Sequence, residues 1–398
     1  MVGNRSCRIA ASAGLFVVLA GTAGCGDEPA TQIAAGSGTT TTSGAHWQRL
    51  PDAPLSPRAS SVMVSSGTEV LVIGGQDTAP CPPGADCAPG RITRDGAALD
   101  LTTRTWRTIA PAPRPLLGEQ AVVIDGVVHV LAQNHGPDGY DKPARLLSYD
   151  VATDQWREAA APANSIGAAL TSSGAKLLAY ETSHEQGLVP DRILDGGTWR
   201  DLPRDPLAPS FDRVMVAVGD ERLILFAHEL VTNPGADKPS IVQAAEYDLA
   251  KQTWRRLPDS EIIGGWYWSH TDGLLVDPSI GGADGGQTGN YGRVYPEGGI
   301  FDPRARQWRP LPALPAEPSD DLWQGPATGG PELAIVRGFV LDPGAGKDGR
   351  WIRLPQPVRG AAEDPAAAWV GDRLVAFGGT VHTDRKSAFT ADTWMWQQ

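Results

Sequence analysis

The sequence predicts an all-β protein: a seven-bladed β-propeller with four-stranded blades, its ring closed by an N-terminal strand that completes the C-terminal blade. Three observations predict it. First, a stretch of the form apolar–Asp–turn–Trp–polar–apolar–Pro recurs, as Ala98 to Pro111, Ser148 to Arg157, Glu246 to Pro258 and Ile300 to Pro312. Shorter versions end in Thr198-Trp199-Arg200-Asp201-Leu202-Pro203 and Arg350-Trp351-Ile352-Arg353-Leu354-Pro355. The marker residues Trp47, Trp106, Trp156, Trp199, Trp254, Trp308 and Trp351 are separated by 43 to 59 residues, the period of a propeller, solenoid or array. Second, two further strand-like runs precede each marked pair, and four strands per unit make a blade. Third, the two ends of the body are complementary. His46-Trp47-Gln48-Arg49-Leu50 is a fourth strand with no blade of its own, and Asp392-Thr393-Trp394-Met395-Trp396 is a third strand after which the chain runs out. Pairing them closes the ring and removes two open sheet edges.

In chain order, residues 1–24 read as a secretory signal rather than as part of the fold. Arg5 and Arg8 make a positive start, and Ile9 to Ala20 is an apolar run too short to span a bilayer as a helix. Thr22-Ala23-Gly24-Cys25 resembles the bacterial lipobox. That resemblance implies cleavage before Cys25 and a diacylglyceryl group on its sulfur, with Thr22 standing where Leu is more usual. Residues 25–45 form a Gly/Ser/Thr tether that includes Thr39-Thr40-Thr41-Thr42; such a composition buries no apolar surface and stays flexible. The expected location is the outer face of the bacterial cytoplasmic membrane, held there through the lipid on Cys25 alone.

From 46 to 398 the repeats never stop and no second linker appears, so the body reads as one domain. Each unit's first two strands are expected at Ser61–Ser65 and Glu69–Gly75, Glu119–Asp125 and Val127–Ala132, Gly167–Ser172 and Lys176–Tyr180, and Arg213–Val218 and Arg222–Ala227. The series continues with Gly265–Thr271 and Gly273–Asp277, a degraded pair at Leu322–Thr328 and Glu332–Val336, and Ala366–Gly371 and Arg373–Gly379. The Asp that ends each third strand supplies turn chemistry by bonding the backbone two residues on. Each marker Trp opens the fourth strand and offers a large apolar face for packing between repeats. The 47 Gly and 34 Pro suit a turn-rich β fold. The formal net charge is −12, and about −14 once Arg5 and Arg8 leave with the signal. That balance argues against nucleic acid and against a general attraction to anionic lipid.

The chain resembles kelch-type β-propellers of the galactose oxidase central-domain-like class. The double Gly after a second strand stands at Gly74-Gly75 and Gly378-Gly379, and the aromatic–Asp pair at Tyr149-Asp150, Tyr247-Asp248 and Phe301-Asp302, each followed by its Trp. The resemblance covers 46–398, although blades three to six lack the double Gly. In such repeats an Arg often precedes the first strand. Arg58, Arg114, Arg213 and Arg359 fall in these places, with Glu119, Asp212, Asp320, Asp321 and Glu363 close by. They make either a charged pocket at the axial face, with Arg as a bidentate donor, or a ring of Arg–carboxylate pairs that fixes the blades to one another.

Gly264-Gly265-Trp266-Tyr267-Trp268-Ser269-His270 stands apart. Its three aromatics and His270 are candidates for a sugar-stacking platform, Trp268 and His270 foremost, with Trp323 in the matching place of blade six. Alternation would bury one aromatic set between blades and leave the other at the axis; packing on both sides is the equal alternative. Cys81 and Cys87 bracket five residues of a long loop and, outside the cytoplasm, are expected to form a disulfide. Galactose oxidase's copper site needs His, Tyr and a thioether Cys, and the mature Cys residues are assigned elsewhere, so neither metal nor cofactor is expected. Leu194-Asp195-Gly196-Gly197-Thr198-Trp199 resembles the sialidase Asp-box but is one residue short and occurs once, so it reads as a β-turn.

The function expected from these features is a monomeric, membrane-tethered binding or scaffold protein, without catalytic residues, for an envelope protein or carbohydrate. The alternative is a carbohydrate-active enzyme of mutarotase, lyase or oxidase type at the central channel. The leader makes a direct prediction: labelled palmitate should enter the wild-type protein and not the Cys25→Ala variant, and equal labelling of both would refute lipidation at Cys25.

Overall fold

The computed structural model describes residues 46–398 apart from 83, 84, 86, 135–143, 163–166, 286–290, 320, 324, 327, 337, 347, 348, 358–362, 384 and 385. The leader, the tether, Cys25, Asp320 and Arg359 lie outside the described residues.

The described chain is a seven-bladed β-propeller with antiparallel pairing throughout. Blade one is Val62–Ser65, Glu69–Ile73, Gly96–Asp100 and Thr105–Ile109, and blade two is Ala121–Ile124, Val127–Ala132, Arg145–Asp150 and Gln155–Ala160. Ala168–Ser173, Lys176–Glu181, Arg192–Asp195 and Thr198–Asp201 make blade three. Blade four is Ser210–Val218, Arg222–Glu229, Gln243–Asp248 and Thr253–Arg256; blade five is Ser269–Thr271, Leu274–Asp277, Gly299–Asp302 and Gln307–Pro310. Blade six has a ladder of Ala334–Val336, Phe339–Asp342 and Arg350–Arg353. Its innermost place, expected as the strand Leu322–Thr328, includes 324 and 327, which lie outside the described residues; among the described residues it shows the Gly329–Ala334 bridge and the Ile335 N–H donated to the Thr328 carbonyl. Blade seven is Ala366–Val370, Arg373–Phe377, Thr393–Gln397 and His46–Arg49. The N-terminal strand therefore closes the ring, with Trp47 opposite Trp396 and Arg49 opposite Trp394.

Local chemistry explains the repeat. Asp100 Oδ1 accepts the backbone N–H groups of Thr102 and Thr103, and Asp150, Asp248 and Asp302 cap their turns in the same way. The fourth residue after each Asp is left-handed: Arg104, Asp154, Gln252 and Arg306 have φ between 54° and 57°. That reversal brings the chain back as the fourth strand with Trp two residues on. The shorter turn of blade three pairs Asp195 with Thr198 across Gly196 and Gly197, both at positive φ, which is the chemistry of a tight hairpin.

Each marker Trp then reaches across to the blade before it. Trp106 Nε1 donates to the Pro51 carbonyl (2.9 Å), Trp156 to Ala110 (2.7 Å), Trp199 to Ala160 (3.3 Å) and Trp254 to Pro203 (2.8 Å). Trp308 donates to Pro258 (2.7 Å), Trp351 to Ala313 (2.9 Å), and Trp47 to Pro355 (2.6 Å). The core lies between blades. Leu71, Ile73, Val130 and Tyr149 bury one such seam, and Trp323, Trp369 and Trp396 another, where Trp47 stacks on Trp323 at 5.2 Å.

Blade-to-blade connections and the loops between second and third strands all emerge on one face, because the strands alternate in direction. That loop face carries the Cys81–Cys87 disulfide and extra hairpins at Thr380–Thr383/Lys386–Phe389 and Gly282–Ala283/Tyr295–Pro296.

Ring closure is measurable. Trp47→Ala should cost about 3–5 kcal/mol, as large aromatic truncations do. Trp47→Phe, which removes chiefly the hydrogen bond to Pro355, should cost about 0.5–1.5 kcal/mol. Deleting 46–51 should lower the melting temperature and promote aggregation, whereas deleting 26–44 should leave it nearly unchanged; like behaviour of the two deletions would overturn the closure argument.

Candidate functional site

The loop face is pinned by buried arginines. Arg58 is 1% exposed, and its fork grips Asp95 with two bonds (2.8 and 2.9 Å) while also donating to Ser56, Thr93 and the Gly74 carbonyl. Arg213, also 1% exposed, grips Asp191 (3.0 and 2.7 Å) and reaches Asp205 and the Glu181 carbonyl. Arg58 uses all three of its nitrogens within the fold, Arg213 uses both terminal nitrogens and leaves Nε without a partner, and both side chains are turned away from solvent. Arg213, on blade four, ties to Asp191 of blade three, as in the second of the two readings that the arginine pattern allowed, whereas Arg58 ties the linker before blade one to Asp95 of that same blade. Arg114 pairs with Glu158 on the outermost strand of blade two, where Arg145 binds the same carboxylate oxygen. It therefore sits at the rim rather than the axis.

The acidic neighbours are also engaged. Glu119 accepts the Leu117 N–H, Asp321 pairs with Arg353, and Glu363 lies 3.2 Å from His382. Asp212 stands apart and is taken up below.

Around Arg213, three acidic groups and one histidine gather between blades three and four. Burial, then the Asp191 charge, pushes the Glu181 carboxyl up to about 7. Burial lowers the His184 pKa, and its Nδ1 accepts the Ser210 N–H. Ser210 is completely buried and meets His184 through its backbone N–H, so its hydroxyl is not that ring's partner in this Ser–His–Asp neighbourhood; a cleft of about 180 Å³ reaches His184, Asp191 and Asp205. A second line of this type, Ser387–His382–Glu363, lies on the blade-seven hairpin with contacts of 2.8 and 3.2 Å. His382 and Ser387 are a directly opposed cross-strand pair, and Glu363 is 60% exposed. Water screens that carboxylate, and the line ties the hairpin to the linker before blade seven.

The aromatic segment divides into a buried and an exposed set. Trp268 is 5% exposed, stacked on Phe226 at 4.1 Å between blades four and five. Trp323 is likewise buried, and His270 is exposed on the innermost strand of blade five. The rings left facing solvent are Trp266 and Tyr267, 44% and 57% exposed. They are held in place. Trp266 Nε1 donates to Asp212 Oδ2 at 2.9 Å, and the Tyr267 N–H donates to the fully buried Asp277, whose pKa burial raises. A Cβ on Gly264 would lie 2.4 Å from the Glu297 carbonyl oxygen, and Gly265 adopts φ +101° against Val242. The Gly-Gly pair was the sequence signal for this held segment; which of the following aromatics faces out was not readable.

Outward of this segment, a cleft of about 640 Å³ opens between the second-to-third-strand loops of blades four and five. Glu229, Asp237, Asp259, Glu261, Arg293 and Tyr295 are among its walls. Tyr291 bonds the Gly235 carbonyl from loop to loop, and Arg293 stacks over Tyr295 while pairing with Glu261.

No family model matches this chain, and no curated protein matches it either.

Glu181 gives a pH prediction. Its carboxyl is raised from 4.5 to about 7 in the fold, so its stabilising contribution is complete below about 4.5 and is lost as pH rises through about 7. At about 1.4 kcal/mol per unit the loss is about 3 kcal/mol at most. Glu181→Gln should flatten the fall in melting temperature between pH 5 and 8 that the wild type shows. Parallel curves would show that Glu181 titrates normally.

Proposed function

We propose that the chain is a lipid-anchored, extracytoplasmic binding protein of kelch-like type, acting as a monomer, which presents the loop face of its propeller to a ligand or partner in the cell envelope. The observation that carries this reading is where the large apolar side chains reach the surface. Among the described residues, those exposed are Leu188, Val231, Trp266, Tyr267 and Val294. All five lie on the loop face, in the loops or linker of the consecutive blades three, four and five. Exposed apolar residues that gather on one face, rather than scatter over the whole surface, are the pattern of an interaction face. The opposite face is built of short polar turns such as Asp125-Gly126 and Gly219-Asp220.

A rigid scaffold with variable loops at one end is how β-propellers and related folds present binding residues. The catalytic alternative gains little from the geometry, since Arg58 and Arg213 are paired with carboxylates, His184 meets the backbone N–H of the buried Ser210 rather than its hydroxyl, and Glu363 is open to water. The lipobox resemblance and the Gly/Ser/Thr tether support the placement outside the cytoplasmic membrane.

Photo-crosslinking side chains placed at 188, 231 or 294 in cells carrying the whole protein should capture partner material. The same probe at Asp125 or Asp220, on the turn face, should not. Equal yields from the two faces would remove the basis of this reading.

A further inference from the structure

We propose that Trp266, Tyr267 and Asp212 form a carbohydrate-binding site, which takes a neutral pyranose chain at the inner edge between blades four and five. The inference rests on the loop-face reading above and names the ligand class for it. Two large rings are exposed one residue apart, on a segment fastened from three sides. Asp212 holds the indole N–H, buried Asp277 holds the Tyr267 backbone, and the contacts at Gly264 and Gly265 fix the path. An aromatic ring held rigidly in solvent loses little conformational freedom when a ligand covers it. Its face matches the patch of axial C–H groups on a pyranose with equatorial hydroxyls.

The polar groups beside the rings choose among occupants. Asp212 is 38% exposed and stands at φ +47°, where the first strand of blade four is interrupted by a register shift between Phe211 and Val214. Its Oδ2 is shared by the Trp266 indole at 2.9 Å and the His228 ring 3.8 Å away, which leaves Oδ1 to accept from a ligand hydroxyl. His228 is the independent observation. It is 3% exposed, stacks on Phe211 at 5.3 Å, and sets its Nδ1 3.8 Å behind Asp212 Oδ2. Burial favours its neutral form. The neutral ring behind Asp212 supplies no counter-charge, so the half-exposed carboxylate is left to accept from donors on its solvent side. Acceptors and a neutral imidazole in a chain of formal net charge −12 disfavour an anion. Aromatic faces with hydroxyl acceptors favour a neutral sugar.

The test uses the full mature chain carrying Cys25→Ala, with cellotetraose, maltotetraose and chitotetraose as probes, followed by saturation-transfer NMR and calorimetry. At least one probe should bind, with saturation reaching its ring C–H protons. Trp266→Ala and Tyr267→Ala should each weaken binding at least roughly tenfold. Asp212→Asn, which keeps an oxygen for Trp266, should weaken it by a smaller factor. Melting temperatures should stay close to wild type, because both rings are exposed, and Arg114→Ala at the rim should bind as wild type does. Binding that survives in the Trp266→Ala/Tyr267→Ala double variant would overturn the location. Failure of all three sugars to bind the wild type would overturn the ligand class. If loop-face crosslinks to protein persisted in that case, the binding reading would stand with a peptide partner; if they too were absent, both would fall.

Discussion

Seven indole N–H groups, each donated to a carbonyl of the preceding blade, hold this ring together. A blade is a twisted sheet that buries both faces only against neighbours, so no blade is stable alone. The marker Trp joins the two requirements of that contact in one side chain: an apolar body for the seam and a donor at its tip. Its acceptors lie at or just past the end of the preceding blade's outer strand. Four of them, Pro51, Pro203, Pro258 and Pro355, are prolines. Proline stops the ladder and leaves its carbonyl free to be met from outside. The individual bond is worth only about 1 kcal/mol, but the series is cyclic. Trp47 donating to Pro355 makes the first residues of the body depend on the last blades, so the seven contacts form or fail together.

The contrast with the other tryptophans is instructive. Trp268, Trp323 and Trp396 are buried more deeply than most of the markers, yet their indole N–H groups meet no partner. They fill volume. The markers set register, and a small tie in the right place constrains the relative position of two sheets more than a large ring in a seam does.

Much of the architecture was legible because its determinants are local. Asp, a left-handed residue four positions on and Trp two further are all contained in one short window, and each copy repeats the message. The inner strand of blade six was legible only as a weakness: its place is held by a bridge at Gly329 and by contacts of Gly330 with Trp369. The candidate site was less legible, for two physical reasons. The partner of Arg58 is Asp95 and that of Arg213 is Asp191, and the identity of an arginine says nothing about which loop will bring a carboxylate to it. A buried tie and a ligand fork use the same residue type at the same point in the repeat. Which aromatics of the run face outward turned on parity, which the sequence left open. Glycine at positive φ, here Gly265, resets which side of the chain faces inward, so Trp268 went into the seam and Trp266 and Tyr267 faced water.

The buried charges and the exposed rings belong to one argument. An ion pair as deep as Arg213–Asp191 contributes little net stability over a well-packed apolar substitute, and losing one partner is costly. What it supplies is position: the loop end at Asp191 and the linker at Asp205 are tied to the first strand of blade four. Asp277 does the same for the Tyr267 backbone, at the cost of a carboxyl kept away from water. Neither device is needed to close the ring, which the indole ties and the apolar seams already accomplish. Their common effect is to stiffen the loop face of blades three to five, where the exposed apolar residues lie. Stiffness there has little value to a fold and much to recognition, because a surface ordered in advance loses less entropy when its ligand arrives.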